Sequence, residues 1–234
     1  MLQRFVWKLL PKAQRTFLLH RMPVIDRQVV NRAMSGNIRF PAAFAERRCL
    51  FIHVPKCAGN SVCAALFDDW CPGHLPLYWY EAQFPAQYAE AFKFAFVRDP
   101  LERAYSAYAF LQGADLPERD GPARALVNAF GCFDEFVMGW LTEENVQRQV
   151  HFAPQTRFLV DGLGRLAMDF IGRHETLEQD FASVCRQLGL SASLPMRNVS
   201  PRREVPSARD VASIRTRERI RRVYRRDYEL LGYE

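Results

Sequence analysis

Two short runs, Arg48–Val54 (RCLFIHV) and Phe92–Val97 (FKFAFV), constrain the fold of this chain more than any other feature. Both are dominated by apolar residues, as expected of strands buried on both faces of a helix-covered parallel sheet. Each is followed by a helix signal. After the first, Pro55 ends the strand and a turn of small residues leads into a helix over Ser61–Trp70, with Val62, Ala65 and Leu66 on one face. After the second, Asp99 is expected as N-cap and Pro100 as the opening helical residue, with LERAYSAYAFL continuing the helix. Strands alternating with helices specify an α/β domain with a mainly parallel sheet. The 234 residues suit one large domain with a substantial core. The division expected is an N-terminal basic and apolar arm over 1–40 and a single α/β domain over 41–234.

Further along, helices are expected around Pro122–Phe130 and Phe133–Leu141, and the order RFLV, DGLG, RLAMDFIG reads as strand, turn, strand. Leu177, Phe181, Val184, Cys185 and Leu188 fall at helical spacing, and Gly189 closes that helix. The last segment opens on a capping box, Ser207 with Asp210. It is expected to break near Thr216 and then run to Gly232 with Ile220, Val223, Tyr224, Asp227 and Leu231 inward. The pairs Arg221-Arg222 and Arg225-Arg226 then form a solvated face. Gly162–Ala167 matches the dinucleotide fingerprint GxGxxA, but it precedes an apolar run instead of opening a helix, so a turn is expected there and a Rossmann reading is rejected.

Composition bounds the partners. The formal net charge is +6, and only four of the 32 basic residues are lysines. Arginine suits bidentate recognition of phosphate, sulfate and carboxylate, although a GC-rich genome also favours its codons. The six cysteines form no CxxC pair and read as reduced thiols of a cytosolic protein. Cys71 and His74 have the spacing of two metal ligands, but no second pair completes a site, so no metal is expected. No apolar run reaches the 18 residues of a membrane span, and the N-terminus lacks a signal-peptide core. The arm either packs on the domain, which is the preferred reading, or lies on a membrane surface as an amphipathic helix. The location expected is cytoplasmic, with peripheral contact at the inner membrane face left open.

Phe51–Ser61 (FIHVPKCAGNS) is a strand, a turn and a helix start, and together these make an anion cradle. Backbone N–H groups of Ala58, Gly59, Asn60 and Ser61 are expected to converge on one phosphate, aided by the helix dipole. Lys56 precedes the glycine, whereas in GxxxxGK[ST] the lysine follows it; no such sequence occurs in the chain. In Phe94–Tyr108 (FAFVRDPLERAYSAY), Arg98 stands at the carboxyl end of a strand and Ser106 eight residues on, suited to a second phosphate. Either stretch alone is equally well read as structural.

Together, PKxxGxS after one strand and VRDPxxRxxSxY after the next resemble the sulfotransferases that use 3′-phosphoadenosine 5′-phosphosulfate (PAPS). The kin indicated are the Golgi-type carbohydrate O-sulfotransferases of sulfotransferase family 2 and their bacterial relatives. HFAPQ, FIGRHETLEQDF, LPMRNVS and YRRDYELLGY extend the resemblance over roughly residues 48–234. It implies a P-loop-like, mainly parallel sheet flanked by helices (the sulfotransferase fold). It also implies PAPS as sulfate donor, with Lys56, Cys57, Ala58, Gly59, Asn60 and Ser61 at the 5′ end and Arg98 and Ser106 on the 3′-phosphate. Cys57 and Asn60 stand where the family usually has threonine, so a hydroxyl contact is lost. Lys56 is placed to neutralise charge developing on the leaving phosphate, and the scheme requires no metal.

His74 is the first candidate for general base, with Glu81 and His151 in reserve, while His53 reads as structural. Tyr78, Trp79 and Tyr80 are a sugar platform, or else core. Arginines within Arg197–Arg203 line an acidic groove, or else are solvated. The acceptor expected is a hydroxyl of a carbohydrate or glycolipid, and no nucleic acid is expected. The alternatives are a non-catalytic PAPS- or nucleotide-binding relative and a P-loop-type small-molecule kinase.

Overall fold

The structure is a computed structural model that describes residue 7 and residues 9–36, 38–113, 116–195 and 207–234. Helices α1 (Lys12–Arg21), α2 (Val24–Met34) and α3 (Ala42–Arg47) lead to strand β1 (Cys49–Ile52), all four of whose residues are buried. Helices α4 (Gly59–Leu66), α5 (Leu77–Gln83) and α6 (Pro85–Glu90) then cross to β2 (Phe92–Val97). A third strand, β3 (Phe170–Arg173), lies on the far side of β2. Both pairings are parallel, with Cys49 opposite Phe92 and Phe94 opposite Phe170. The expected α/β architecture, a parallel sheet flanked by helices, is therefore present. Phe51 and Phe94 stack across the β1–β2 pair with ring centroids 5.1 Å apart.

Asp99 caps α7 (Pro100–Gln112) as its sequence predicts, its carboxylate accepting from the N–H groups of Leu101 and Glu102. Helices α8 (Gly121–Asn128) and α9 (Phe133–Gly139) follow, and Gly189, in the left-handed region, ends α11 (Leu177–Leu188); α10 is a single turn, Thr156–Leu159. The last helices are α12 (Ala208–Val211), α13 (Ile214–Val223) and α14 (Arg225–Leu231). One apolar cluster surrounds the sheet, and a second is built from α7, α8, α9 and the C-terminal helices.

The structure departs from the sequence reading in four places. The helix after the cradle stops at Leu66 instead of reaching Trp70, because Asp68 and Asp69 turn the chain back through left-handed conformations. RFLV lies largely in α10, not in a strand. The buried Asp227 carboxylate takes the N–H groups of Gln155 at 2.7 Å and Thr156 at 2.9 Å and starts a helical turn there. Gly162–Ala167 is the expected turn, closed by a single antiparallel bridge between Val160 and Leu166, but the run after it joins β2 in parallel. Finally, the C-terminal segment breaks at Ser213, whose hydroxyl caps Thr216 N–H, and again at Tyr224. Ser207 caps Arg209 N–H, yet its reciprocal partner is Glu102 of α7, which accepts from the Ser207 hydroxyl at 2.6 Å and Ala208 N–H at 3.0 Å.

Helix α2 is docked: Val24 and Ile25 are buried, and Asp26 accepts from Tyr78 and Arg157. Helix α1 buries no residue and leaves Phe17 and Leu18 exposed. Among the described residues, no helix is long and apolar enough to cross a membrane.

Candidate active site

The cradle is built where β1 runs out. Lys56 (φ 68°) and Ala58 (φ 60°) both adopt the left-handed region, at a cost of about 1–2 kcal/mol each for residues bearing a Cβ. This double reversal brings the first turn of α4 against the strand end. Gly59 is required by the close approach: a Cβ there would lie 2.0 Å from Cδ2 of His53. The N–H groups of Gly59 and Asn60, in the first helical turn, have no intrahelical acceptor. Ser61 N–H instead donates to Ala58 C=O at 3.0 Å, so the donor set is narrower than the sequence reading expects.

A cavity of about 530 Å³ opens at the carboxyl ends of the strands, where open α/β sheets hold ligands. Lys56, Ala58, Gly59, Asn60 and Ser61 line one side; Arg98 and Ser106 line another, and His74 also faces it. The two motifs thus meet in one space. Cys57 is the exception among the residues expected to hold the donor. Its thiol is buried and turned away from the cavity, donating to Gln155 Oε1 at 3.3 Å.

Lys56 Nζ sits 3.9 Å over the centre of the Phe110 ring. Burial, with Arg98 nearby, brings its pKa down to about 8. The Arg98 backbone is held at both ends by the fully buried Gln155 side chain, with Arg98 N–H to Oε1 at 3.0 Å and Gln155 Nε2–H to Arg98 C=O at 2.8 Å. Its guanidinium lies 3.6 Å from Glu102.

Four of the five histidines line the cavity: His53, His74, His151 and His174. His74 Nδ1 is 2.8 Å from the carbonyl of His53. A carbonyl only accepts, so Nδ1 carries the proton and Nε2 keeps its lone pair. Burial lowers the His74 pKa to about 4, keeping the ring neutral. Burial likewise lowers His53 to about 3, with His74 the second cause. His151 pairs through Nε2 with Asp120 at 3.1 Å, and its Nδ1 is buried without a partner, out of reach of a substrate.

The other candidates lie elsewhere. Glu81 accepts from Gly162 N–H at 2.7 Å and does not line the cavity. Trp79 and Tyr80 are buried in the sheet cluster and Tyr78 bonds Asp26, so these rings form no platform at the cavity. Arg197–Arg203 falls outside the described residues.

Sequence reasoning missed Gln155, Asp120, Phe110 and His174 as parts of the site. His174 was discoverable: it immediately follows β3, and the carboxyl-end rule points to it once that strand is known to be parallel. Phe110 stands one helical turn beyond Ser106 on the same face. Gln155 and Asp120 are brought in by tertiary contacts alone.

A family model described as "Sulfotransferase family" matches residues 76–234. The span includes Arg98, Ser106 and Gln155 and begins after the cradle. No curated protein and no solved structure matches the chain.

Proposed function

The chain belongs to the sulfotransferase family, and we propose that it is an O-sulfotransferase that draws on PAPS and sulfates a hydroxyl of a carbohydrate or glycolipid. The observation that carries this reading is the single cavity holding two cationic stations on different elements, Lys56 with the cradle and Arg98 with Ser106. Such a pair suits a nucleotide with phosphate at both ends. The fit is also electrostatic. Burial, and next to it the Arg98 guanidinium, disfavour the charged form of Lys56, and a polyanion bound beside it offsets both.

In this reading Gly59 and Asn60 N–H, the Ser61 hydroxyl and Lys56 hold the 5′-phosphosulfate, while Arg98 and Ser106 hold the 3′-phosphate. PAPS, when bound, supplies the sulfuryl group. Lys56 stays protonated and neutralises charge on the departing phosphate. Neutral His74, with Nε2 free, takes the proton from the acceptor hydroxyl. His74 is preferred to His151 because the latter's free nitrogen is buried. Arg119, exposed on the cavity rim, suits an acidic sugar chain.

The test is transfer from sulfur-labelled PAPS to a panel of glycans, glycolipids and phenols. Label in the carbohydrate fraction, lost by about a hundredfold or more in Lys56→Ala, is the expected result. Label appearing only in phenols would overturn the acceptor class. No transfer at all from a protein that binds the nucleotide would identify a non-catalytic relative.

A further inference from the structure

Behind the cradle, three side chains from three different elements converge. His53 extends from the end of β1, Cys63 lies in α4, and Cys71 follows the Asp68-Asp69 reversal. One ring nitrogen of His53 and both sulfurs lie within 4.8 Å of one another. No spacing rule finds this set. The sequence pairs Cys71 with His74, but the His74 ring turns its Nδ1 to the His53 carbonyl and takes no part in the cluster.

We propose that His53, Cys63 and Cys71 form a zinc site that fastens the strand end, the cradle helix and the following loop together. The inference stands apart from the sulfotransfer reading, since none of its ligands is assigned to donor or acceptor there.

Three observations support it. His53 is more than nine-tenths buried, and its Nδ1 has no hydrogen-bond partner, which is costly for a buried polar atom. The Cys63 and Cys71 sulfurs lie within 4.8 Å of each other and of a His53 ring nitrogen, although the three residues come from different elements. A tetrahedral zinc with ordinary Zn–S and Zn–N bonds holds such ligands about 3.5–3.8 Å apart, so shifts on the order of 1 Å complete the site.

The charge and softness of the set fit as well. Two thiolates and a neutral imidazole balance a divalent ion, and thiolate with imidazole selects zinc over magnesium or calcium. Cys71 is exposed and offers both an entry path and an open fourth position for water. Loading releases both thiol protons to solvent. The bound ion then fixes the His53 ring, which packs against the Gly59 backbone and whose carbonyl orients His74.

The test uses the whole chain, reduced and stripped with chelator, and titrated with cobalt(II) and then zinc. The expected result is one equivalent of cobalt with an intense thiolate charge-transfer band, bleached by one equivalent of zinc. Cys63→Ser and Cys71→Ser should each lose the band. Cys132→Ser, which removes another exposed cysteine, should keep it. Because Cys71 is at the surface, its serine variant keeps the core intact, and circular dichroism checks that it does. Cobalt binding without the band, or a band that survives Cys71→Ser, would overturn the proposal. So would a Cys63–Cys71 disulfide in the purified protein together with no zinc uptake after reduction.

Discussion

At the scale of single residues, the site is governed by what burial does to its cations and imidazoles. Lys56 titrates at about 8 in the free protein. An anion against Nζ raises that value, so above about pH 8 binding must take up a proton. Affinity for adenosine 3′,5′-bisphosphate is therefore predicted to be level through neutral pH and to fall above about pH 8, by at most tenfold per unit. Titrations across that range should show the fall in the parent and none in Lys56→Arg, which stays charged. His74 and His151 separate differently. His74→Gln is expected to lower kcat by about a hundredfold or more with little change in the KM for donor. His151→Ala breaks the buried pair with Asp120 and is expected to lower Tm as well as activity. Steady-state kinetics beside thermal melts distinguish the two, and equal kcat losses without any loss of Tm would contradict the assignment. The sequence made Lys56, Arg98 and Ser106 legible because each follows a strand end at fixed spacing. The reason for Gly59 was not legible, since the ring of His53 that forbids a Cβ is brought there by the fold.

At the scale of elements, the two motifs are held by a third segment that neither contains. Asp227 of α14 starts α10 through the N–H groups of Gln155 and Thr156 and the Thr156 hydroxyl. Gln155 then clasps the Arg98 backbone and accepts from the Cys57 thiol. Asp227→Ala leaves three buried donors without an acceptor and is predicted to cost about 3 kcal/mol or more by urea unfolding. Gln155→Leu is predicted to cost less in stability but to weaken bisphosphate binding, because Arg98 loses its anchor. Unchanged affinity in that variant would contradict the anchoring role. Here also lies the limit of pattern reading. RFLV has the composition of a strand, yet a carboxylate some seventy residues away holds the N–H groups of Gln155 and Thr156 just before it. Arg157 and Phe158 N–H then turn back to the carbonyls of Pro154 and Gln155. The helix after β2 was legible to its first residue because Asp99 and Pro100 act locally.

At the scale of the molecule, the cavity lies between the sheet cluster, which carries Lys56, and the helical cluster, which carries Ser106 and Phe110. A ligand that reaches both stations ties the two clusters together. Bisphosphate at about 100 times Kd should add about 2.7 kcal/mol of stability, or roughly 5–10 °C in Tm for a chain of this size. Parallel α/β architecture was legible from two apolar runs and the helices after them. The small size of the sheet was not, since β3 reads equally as half of a hairpin until its pairing with β2 is seen. The central claim is that one cavity recognises phosphate at both ends of a nucleotide. The most direct test is calorimetric titration with adenosine 3′,5′-bisphosphate beside AMP and ATP. The account predicts clear preference for the bisphosphate, and loss of that preference in Arg98→Ala with residual AMP binding retained. Equal affinity for AMP and the bisphosphate, or a preference that survives Arg98→Ala, would contradict it.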